Sequence, residues 1–526
     1  YKKGGAAKEE GEESAPAEQS DDKAQAKEGG DSFQTGEMGR NLKIIERMVV
    51  QNAEDEIYMD FRYWEDISDS IRDNGLGSVL PLWRFANPRV KRKQVTAIVW
   101  NPKYKDLFGV GYGSYDFMRQ SSGIVAIYTL KNTSFPEYQF VTESGVMALE
   151  FHPQVMLACL LGSFLWVGCY DGTVVVFDIH RKEKKPLYQS DIKSGKHTDP
   201  IWQVKWADTD LSQELSFYSI STDGRVATWT LSKNELALET VMALKLVSSE
   251  ADPDEETSLT GLAGGCCFDF NPHKDHLFLV GTEEGKIHLC SKAYSGQYLQ
   301  TFDAHNMAVY AVKWNHFHPR VFLSCSADWT VRLWDYQVPK PIMTFDLANA
   351  VGDIAWAPYS STVFAAVAND GILMYPFLPS FSPTLLQVHI YDLNVNKHEQ
   401  LCEQKVVKRA KLTHVVFNPE FKVILVGDDK GVVNSLKLSP NLRKITPIPE
   451  LPKEDKKKKS ARGEGEEGKQ EETKRKPLTR SDVEIEKMNK ILTQADVWFE
   501  MEKEGRSGTS AMSLATGDAN ANYPPQ

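Results

Sequence analysis

The run His305-Asn306-Met307-Ala308-Val309-Tyr310-Ala311-Val312-Lys313-Trp314-Asn315, with Asp328-Trp329-Thr330-Val331-Arg332-Leu333-Trp334-Asp335 after it, decides the fold. Its first part steps from an apolar residue, Val309, across four positions to an aromatic, Trp314. Its second part is a turn and then an alternating strand that ends on Trp-Asp. The first step recurs at Val95–Trp100, Val146–Phe151, Ile201–Trp206, Gly265–Phe270, Val351–Trp356 and Leu412–Phe417, often with Asn-Pro or His-Pro behind the aromatic. The second recurs after Asp171-Gly172, Asp223-Gly224, Glu284-Gly285 and Gly431, and Gly123–Tyr128 keeps the same step. Asp-Gly supplies the positive φ of a tight hairpin, and the alternation predicts a strand with one buried face.

The copies begin 42 to 64 residues apart. A period of ~40–45 residues with four short strands and a Trp-Asp ending is the signature of the WD40 repeat. One such unit cannot cover its own apolar face, so units stack radially around a shared core. The expected fold is all-β, a seven-bladed propeller over residues 91–445. In the fifth copy His305, Ser324, Asp328 and Trp334 are expected to form a buried network, the His bridging the turn Asp and a strand hydroxyl. That role is structural. The residue after each first apolar position projects to the narrow face of the ring; these are Thr96, Met147, Trp202, Cys266, Tyr310, Gly352 and Thr413. Trp202 and Tyr310, with Trp329 at a turn position that usually holds Gly, are the candidate partner contacts.

Outside the repeats the composition changes. Residues 1–40 are rich in Glu, Lys, Gly, Ala and Ser and read as a disordered arm. Residues 41–90 read as a short helix (Leu42, Ile45, Met48, Val49) and then an extended segment pinned by Tyr58, Phe61, Tyr63 and Trp64 on the propeller or a partner. Residues 446–480 form a charged linker, 481–502 an amphipathic helix and 503–526 a tail. Ser481 to Glu484 fits a capping box, and Ile485, Met488, Leu492, Ala495 and Trp498–Phe499 share a face that calls for a partner surface, its own propeller or another subunit. The stretches 155–166 and 372–387 interrupt the repeat; they read either as partner contacts or as translated intron.

No phosphate loop, paired Cys-x-x-Cys, His-Glu-x-x-His or nucleophile elbow occurs, and a polar cluster in the central channel is not evident from the sequence. The chain therefore reads as a display scaffold, not an enzyme, with no cofactor and no metal. A net charge of −11 argues against a nucleic-acid coat. The longest apolar run, Val155–Val167, is short of a membrane span, and an odd seven cysteines read as buried thiols. A soluble intracellular protein is expected; the absence of Met before Tyr1 leaves room for upstream sequence.

Several stretches resemble the dynein intermediate-chain family, most closely its outer-arm axonemal type. They include Ile45-Glu46-Arg47-Met48-Val49, Leu80-Pro81-Leu82-Trp83, Asn101 to Phe108, Gly111-Tyr112-Gly113-Ser114-Tyr115-Asp116-Phe117, Asp199 to Trp206 and Val351 to Phe364. The resemblance implies a non-catalytic subunit whose propeller grips a dynein heavy-chain tail and pairs with a second intermediate chain. It also implies an N-terminal arm that carries light chains, association with microtubules through the complex, and residence in the axoneme after cytoplasmic pre-assembly. Ser32-Phe33-Gln34-Thr35-Gly36 holds a Gln34-Thr35 core like that of light-chain ligands, though Phe33 departs from the usual Thr. Two other readings stand: a cytoplasmic-type dynein intermediate chain, and a substrate receptor of a ubiquitin ligase. Against the second, Trp334-Asp335-Tyr336-Gln337 lacks the Arg usual in such receptors.

Overall fold

The computed structural model describes residues 36–53, 77–152, 164–179, 181, 184–206, 215–231, 236–246, 261–294, 296–369, 385–397, 399–408, 410–443 and 479–503. Gln34, Thr35, the aromatics at 58–64, most of both interruptions, the linker at 444–478 and the tail beyond 503 lie outside these residues. The chain divides into two compact units, Tyr1–Tyr63 and Trp64–Gln526. In the first, helix α1 spans Gly36–Ala53, longer than its periodicity predicts, with Leu42, Ile45 and Val49 exposed.

The second unit holds seven four-stranded antiparallel sheets. Each of the seven aromatic-ended steps forms the inner strand of one blade: Gln94–Trp100, Val146–Phe151, Ile201–Trp206, Gly265–Phe270, Val309–Trp314, Ala350–Trp356 and Leu412–Phe417. Successive inner strands pack around a ring that closes from the seventh back to the first. The third strands of blades 1 and 2, Gly123–Thr129 and Val174–Asp178, are buried on both faces, not one. The cause is architectural, since each blade is sandwiched between two neighbours and solvent reaches only its edges.

Ring closure uses a strand from before the first repeat. Val79–Ala86 runs antiparallel to Val432–Leu438 and supplies the outer strand of blade 7. Its Pro81 is tolerated because the strand is an edge and its register shifts between Pro81 and Trp83. Phe85 is buried edge-on to Phe108 of blade 1, centroids 5.0 Å apart. Part of the segment read as merely docked is thus a blade strand.

An inner strand leaves one edge unpaired toward the channel, and its amide groups need partners. Side chains of the preceding blade supply several. Asp269 accepts from the Trp314 amide at 2.7 Å, Gln203 from Phe268 at 2.9 Å and Asp353 from Val415 at 3.2 Å. The Trp314 and Trp356 indoles donate in return to the carbonyls of Asp269 and Lys313, both at 3.1 Å. The Asn behind the aromatic folds the next turn and stitches blades. Asn315 accepts from the Phe317 and His318 amides while its Nδ2 donates to Ser361 O at 2.8 Å, and Asn418 joins blade 7 to Lys105 O of blade 1 at 2.8 Å.

Helix α2, Arg480–Lys503, docks on its own propeller. Met488, Ile491 and Leu492 enter the core of blades 5 and 6, while Ile485 is only half-buried. The capping box sits two residues earlier than the sequence suggests. Asp482 accepts from the Thr479 amide at 2.9 Å, and Thr479 Oγ1 accepts from the Asp482 amide at 3.3 Å. Both frames fit the same pattern, but this one frees Glu484 to be buried. Its carboxylate accepts from the Ser361 amide (2.8 Å) and from Lys487 (2.6 Å). Asn489 pairs with His318 of blade 5 at 3.1 Å.

Candidate partner-binding face

The seven positions read from the sequence as projecting to the narrow face share one backbone feature. In every blade the register of the inner strand shifts across that residue: Thr96, Met147, Trp202, Cys266, Tyr310, Gly352 and Thr413 are each skipped in the pairing. A bulge turns the residue out of the ladder and re-aims its side chain. Their fates differ. Thr96 and Met147 are buried, and Thr96 donates to Val146 O of blade 2 at 2.6 Å. Tyr310 is 49% exposed.

Trp202 is half-buried beneath Tyr115, which leans in from the loop between the second and third strands of blade 1. The two rings stack at 6.2 Å with 9° between planes. Tyr115 also shares a 2.8 Å hydrogen bond with His414 of blade 7, whose other ring nitrogen lies 3.1 Å from the Asp353 carboxylate of blade 6. A side chain that touches the inner strands of blades 3 and 7 spans the mouth of the channel, so Tyr115 forms a crossbar there. The sequence gives Tyr115 only as part of a Gly/aromatic stretch, and nothing in it signals this reach.

The structure also gathers polar groups that the sequence hides. Glu150, Lys205, Asp269 and Lys313 stand at the same step of inner strands 2 to 5. Lys205 lies 2.8 Å from Asp269. Burial pushes the Glu150 carboxyl up to about 7 against the pull of Lys205 and Lys313, and its Oε2 has no hydrogen-bond partner among the described residues. Each residue comes from a different blade some 44 to 64 positions away, so no local motif announces the cluster. It joins blades and forms no group of metal-ligand type among the described residues.

The predicted network of blade 5 is assembled. Asp328 accepts from His305 Nδ1 at 2.9 Å, His305 Nε2 accepts from Ser324 Oγ at 2.7 Å, and Ser324 Oγ accepts from the Trp334 indole at 2.9 Å. A carboxylate can only accept, which fixes that tautomer. Burial lowers the His305 pKa despite Asp328, so the ring is neutral. Blade 3 carries a second copy, missed in the sequence: His197, Asp223, Ser219 and Trp229, with contacts of 2.8 Å throughout. The Asp-Gly turn and Trp229 were the available signals.

Trp329 closes the blade-5 hairpin at φ +72, where blades 2, 3, 4 and 7 place Gly172, Gly224, Gly285 and Gly431 at +77 to +84. A β-carbon there costs roughly 1 kcal/mol. The indole is 46% exposed, so part of the ring packs on the blade and part stays open on the face.

The family model WD domain, G-beta repeat, matches residues 296–335. The chain is 56% identical over 407 residues to "Dynein intermediate chain 2, ciliary" of Heliocidaris crassispina, covering 77% of this chain and 55% of that protein. It is 50% identical over 422 residues to "Dynein, 78 kDa intermediate chain, flagellar outer arm" of Chlamydomonas reinhardtii, covering 79% and 58%. The chain thus spans little more than half the length of these curated relatives. Among solved structures, the Cps50 (Swd1) β-propeller domain of Myceliophteria thermophila matches with a TM-score of 0.50 at 11% identity, over 68% of this chain and 99% of that one, a likeness of fold alone.

Proposed function

We propose, from the premise that this chain belongs to the axonemal dynein intermediate-chain family, that it is a non-catalytic scaffold subunit of an outer-arm dynein. In this reading the propeller binds a heavy-chain tail and pairs with a second intermediate chain. The segment ahead of α1 carries light chains, with Gln34 and Thr35 among their contacts. The subunit works in the axoneme of a cilium or flagellum after cytoplasmic pre-assembly, and meets microtubules through the complex. Nucleotide hydrolysis belongs to the heavy chain.

The single observation that carries a scaffolding role is the use of polar side chains to join one blade to the next, as Tyr115–His414, Asp269–Trp314 and Asn315–Ser361 do, while Tyr310 and Trp329 stay open on the narrow face. Exposed aromatics on a rigid frame suit a binding hot spot. Trp202 acts in this reading by holding Tyr115 beneath the partner. The test is retention from ciliary extract on the full chain. A dynein heavy chain is expected, with no nucleotide hydrolysis by the chain alone; ubiquitin-ligase adaptors without a heavy chain would overturn the assignment.

A further inference from the structure

The loop that carries Tyr115 also carries the most exposed adjacent apolar pair among the described residues of the ring. Phe117 is 74% and Met118 86% exposed. The loop is heavily braced all the same. Asp116 caps a 3-10 turn at Phe117–Arg119 by accepting from the Met118 amide at 3.0 Å. Gln120 donates to the carbonyls of Ser114 (2.9 Å) and Asp116 (3.0 Å), and Gln94 accepts from the Tyr115 amide at 2.9 Å. Lys93 donates to Ser121 Oγ at 2.8 Å, tying the loop to the connection from blade 7 into blade 1. Two large apolar side chains fixed outward on a rigid frame give up little entropy when a partner covers them.

The surroundings define that partner's charge. Across the Lys93 tie lie Arg89, Lys91 and Arg92, all exposed, and Arg119 follows Met118; the acids beside them are Asp116, already paired with Arg119 at 3.3 Å, and the half-buried Asp429 of the adjoining blade-7 turn, which accepts from the Lys411 amide at 2.9 Å. This is a cationic strip on a chain of net charge −11. Exposed acids stand on the other loops of the same face, Glu143, Asp171, Glu283 and Glu284. A flat anionic membrane laid on the face would meet those acids, whereas a narrow segment lying along the connection from blade 7 into blade 1 would meet mostly cations, with Asp116 and Asp429 already held by Arg119 and the Lys411 amide.

We infer that Phe117 and Met118, flanked by Arg89, Lys91, Arg92 and Arg119, dock an acidic amphipathic polypeptide segment of another subunit. The inference rests on the scaffold reading above and assigns it a second contact, distinct from Tyr310 and Trp329 on blade 5.

The test uses the full chain with a photo-crosslinking amino acid in place of Met118, irradiated in ciliary extract, and the crosslinked peptide sequenced. A segment of net negative charge with apolar residues at the crosslink is expected. A neutral or basic segment, or no crosslink while a heavy chain is still retained, overturns the inference and leaves the scaffold reading intact. In parallel, Lys91→Glu/Arg92→Glu should lower retention of the crosslinked subunit at least tenfold at physiological salt with an unchanged melting curve; unchanged retention overturns it as well. Binding of the wild-type chain to phosphatidylserine vesicles, lost in the same variant, would reassign the strip to membranes and also overturn it. If the wild-type chain retains no heavy chain, the scaffold reading falls, and the charge of the crosslinked segment alone decides the inference.

Discussion

Blades 3 and 5 differ from the other five at one buried position. Two residues beyond Phe217 and Phe322 they place Ser219 and Ser324; at the same register position the others place Val110, Val167, Val280, Ala366 and Val426. The ring opposite changes in step. Trp229 and Trp334 accompany the serines, while Tyr128, Phe177, Cys290, Tyr391 and Leu436 accompany the apolar residues. Of these five Tyr128 and Tyr391 bring a hydroxyl with their rings, and that of Tyr128 meets Tyr112 at 3.3 Å. The lesson is that one site in the blade accepts two fillings, a closed hydrogen-bond network or an apolar plug. A half-built network is the costly state, because a buried donor loses water and gains nothing.

The largest effect should come from opening the network. His305→Ala leaves the Ser324 hydroxyl without its acceptor and Asp328 short of a donor, and is expected to cost about 3 kcal/mol in guanidinium unfolding. Converting blade 5 to the apolar filling with His305→Leu, Ser324→Val and Trp334→Phe together should cost less than the single change. A triple variant less stable than His305→Ala would end the equivalence of the two fillings. Acid sharpens the contrast. His305 is lowered in the fold, so its contribution is present above about pH 6.5 and is lost as pH falls below that value. Asp223 is lowered to about 2, hydrogen-bonded by His197 and Arg225 although burial alone would raise it. Its contribution is present above about pH 4 and fades toward pH 2. The triple variant should therefore lose less stability than wild type between pH 7 and 5, and also below about 4, where Asp328, held low against its burial in part by His305, contributes more in the wild type.

A second closed polar site lies under α2. Glu484→Ala leaves Ser361 and Lys487 unpaired beneath the helix and should cost about 2 kcal/mol, seen as earlier proteolysis within 480–503. Equal protease resistance would mean that Met488, Ile491 and Leu492 hold the helix unaided.

The aromatic step located all seven inner strands because it is local, six residues of one strand repeated with a turn behind it. Closure by Val79–Ala86 was not legible, since its partner Val432–Leu438 lies some 350 residues away and nothing in Val-Leu-Pro-Leu-Trp-Arg-Phe-Ala names it. The blade-5 network could be read because His, Ser, Asp and Trp all fall within 30 residues in a complete repeat. Its copy in blade 3 hid behind a Trp229 that lacks the following Asp. The capping frame of α2 was misread by two residues because Thr479 and Ser481 satisfy one pattern, and only the seat of Glu484 on blade 6 separates them.

Glu150 is one of the buried polar groups left open among the described residues, and it tests the contrast from the other side. Its carboxyl is raised to about 7, chiefly by burial, so the folded state prefers it protonated. Its drag on stability is absent below about pH 4.5 and grows as pH rises through about 7. Glu150→Gln should therefore be nearly neutral at pH 5 and stabilising by about 1–2 kcal/mol at pH 8. A loss at pH 8 would mean that the charge is needed by Lys205 and Lys313, making the cluster a closed network after all.

The smallest effect on stability belongs to Trp329, and its sign is the informative part. Four blades use Gly at this turn and blade 5 does not, though blade 5 is otherwise the most regular. Trp329→Gly removes a β-carbon from φ +72 and restores the residue of the other hairpins, at the loss of a half-exposed ring. Relief of strain is worth roughly 1 kcal/mol, less some gain in unfolded-chain entropy, so the variant should melt slightly higher than wild type. If the proposed scaffold reading holds, its retention of a heavy chain should fall about tenfold, because the ring is one of the two open aromatics of the proposed binding face. Stability and binding would then move in opposite directions, which a packing residue cannot do. A variant that melts lower and binds equally well would return Trp329 to the blade as one more core aromatic.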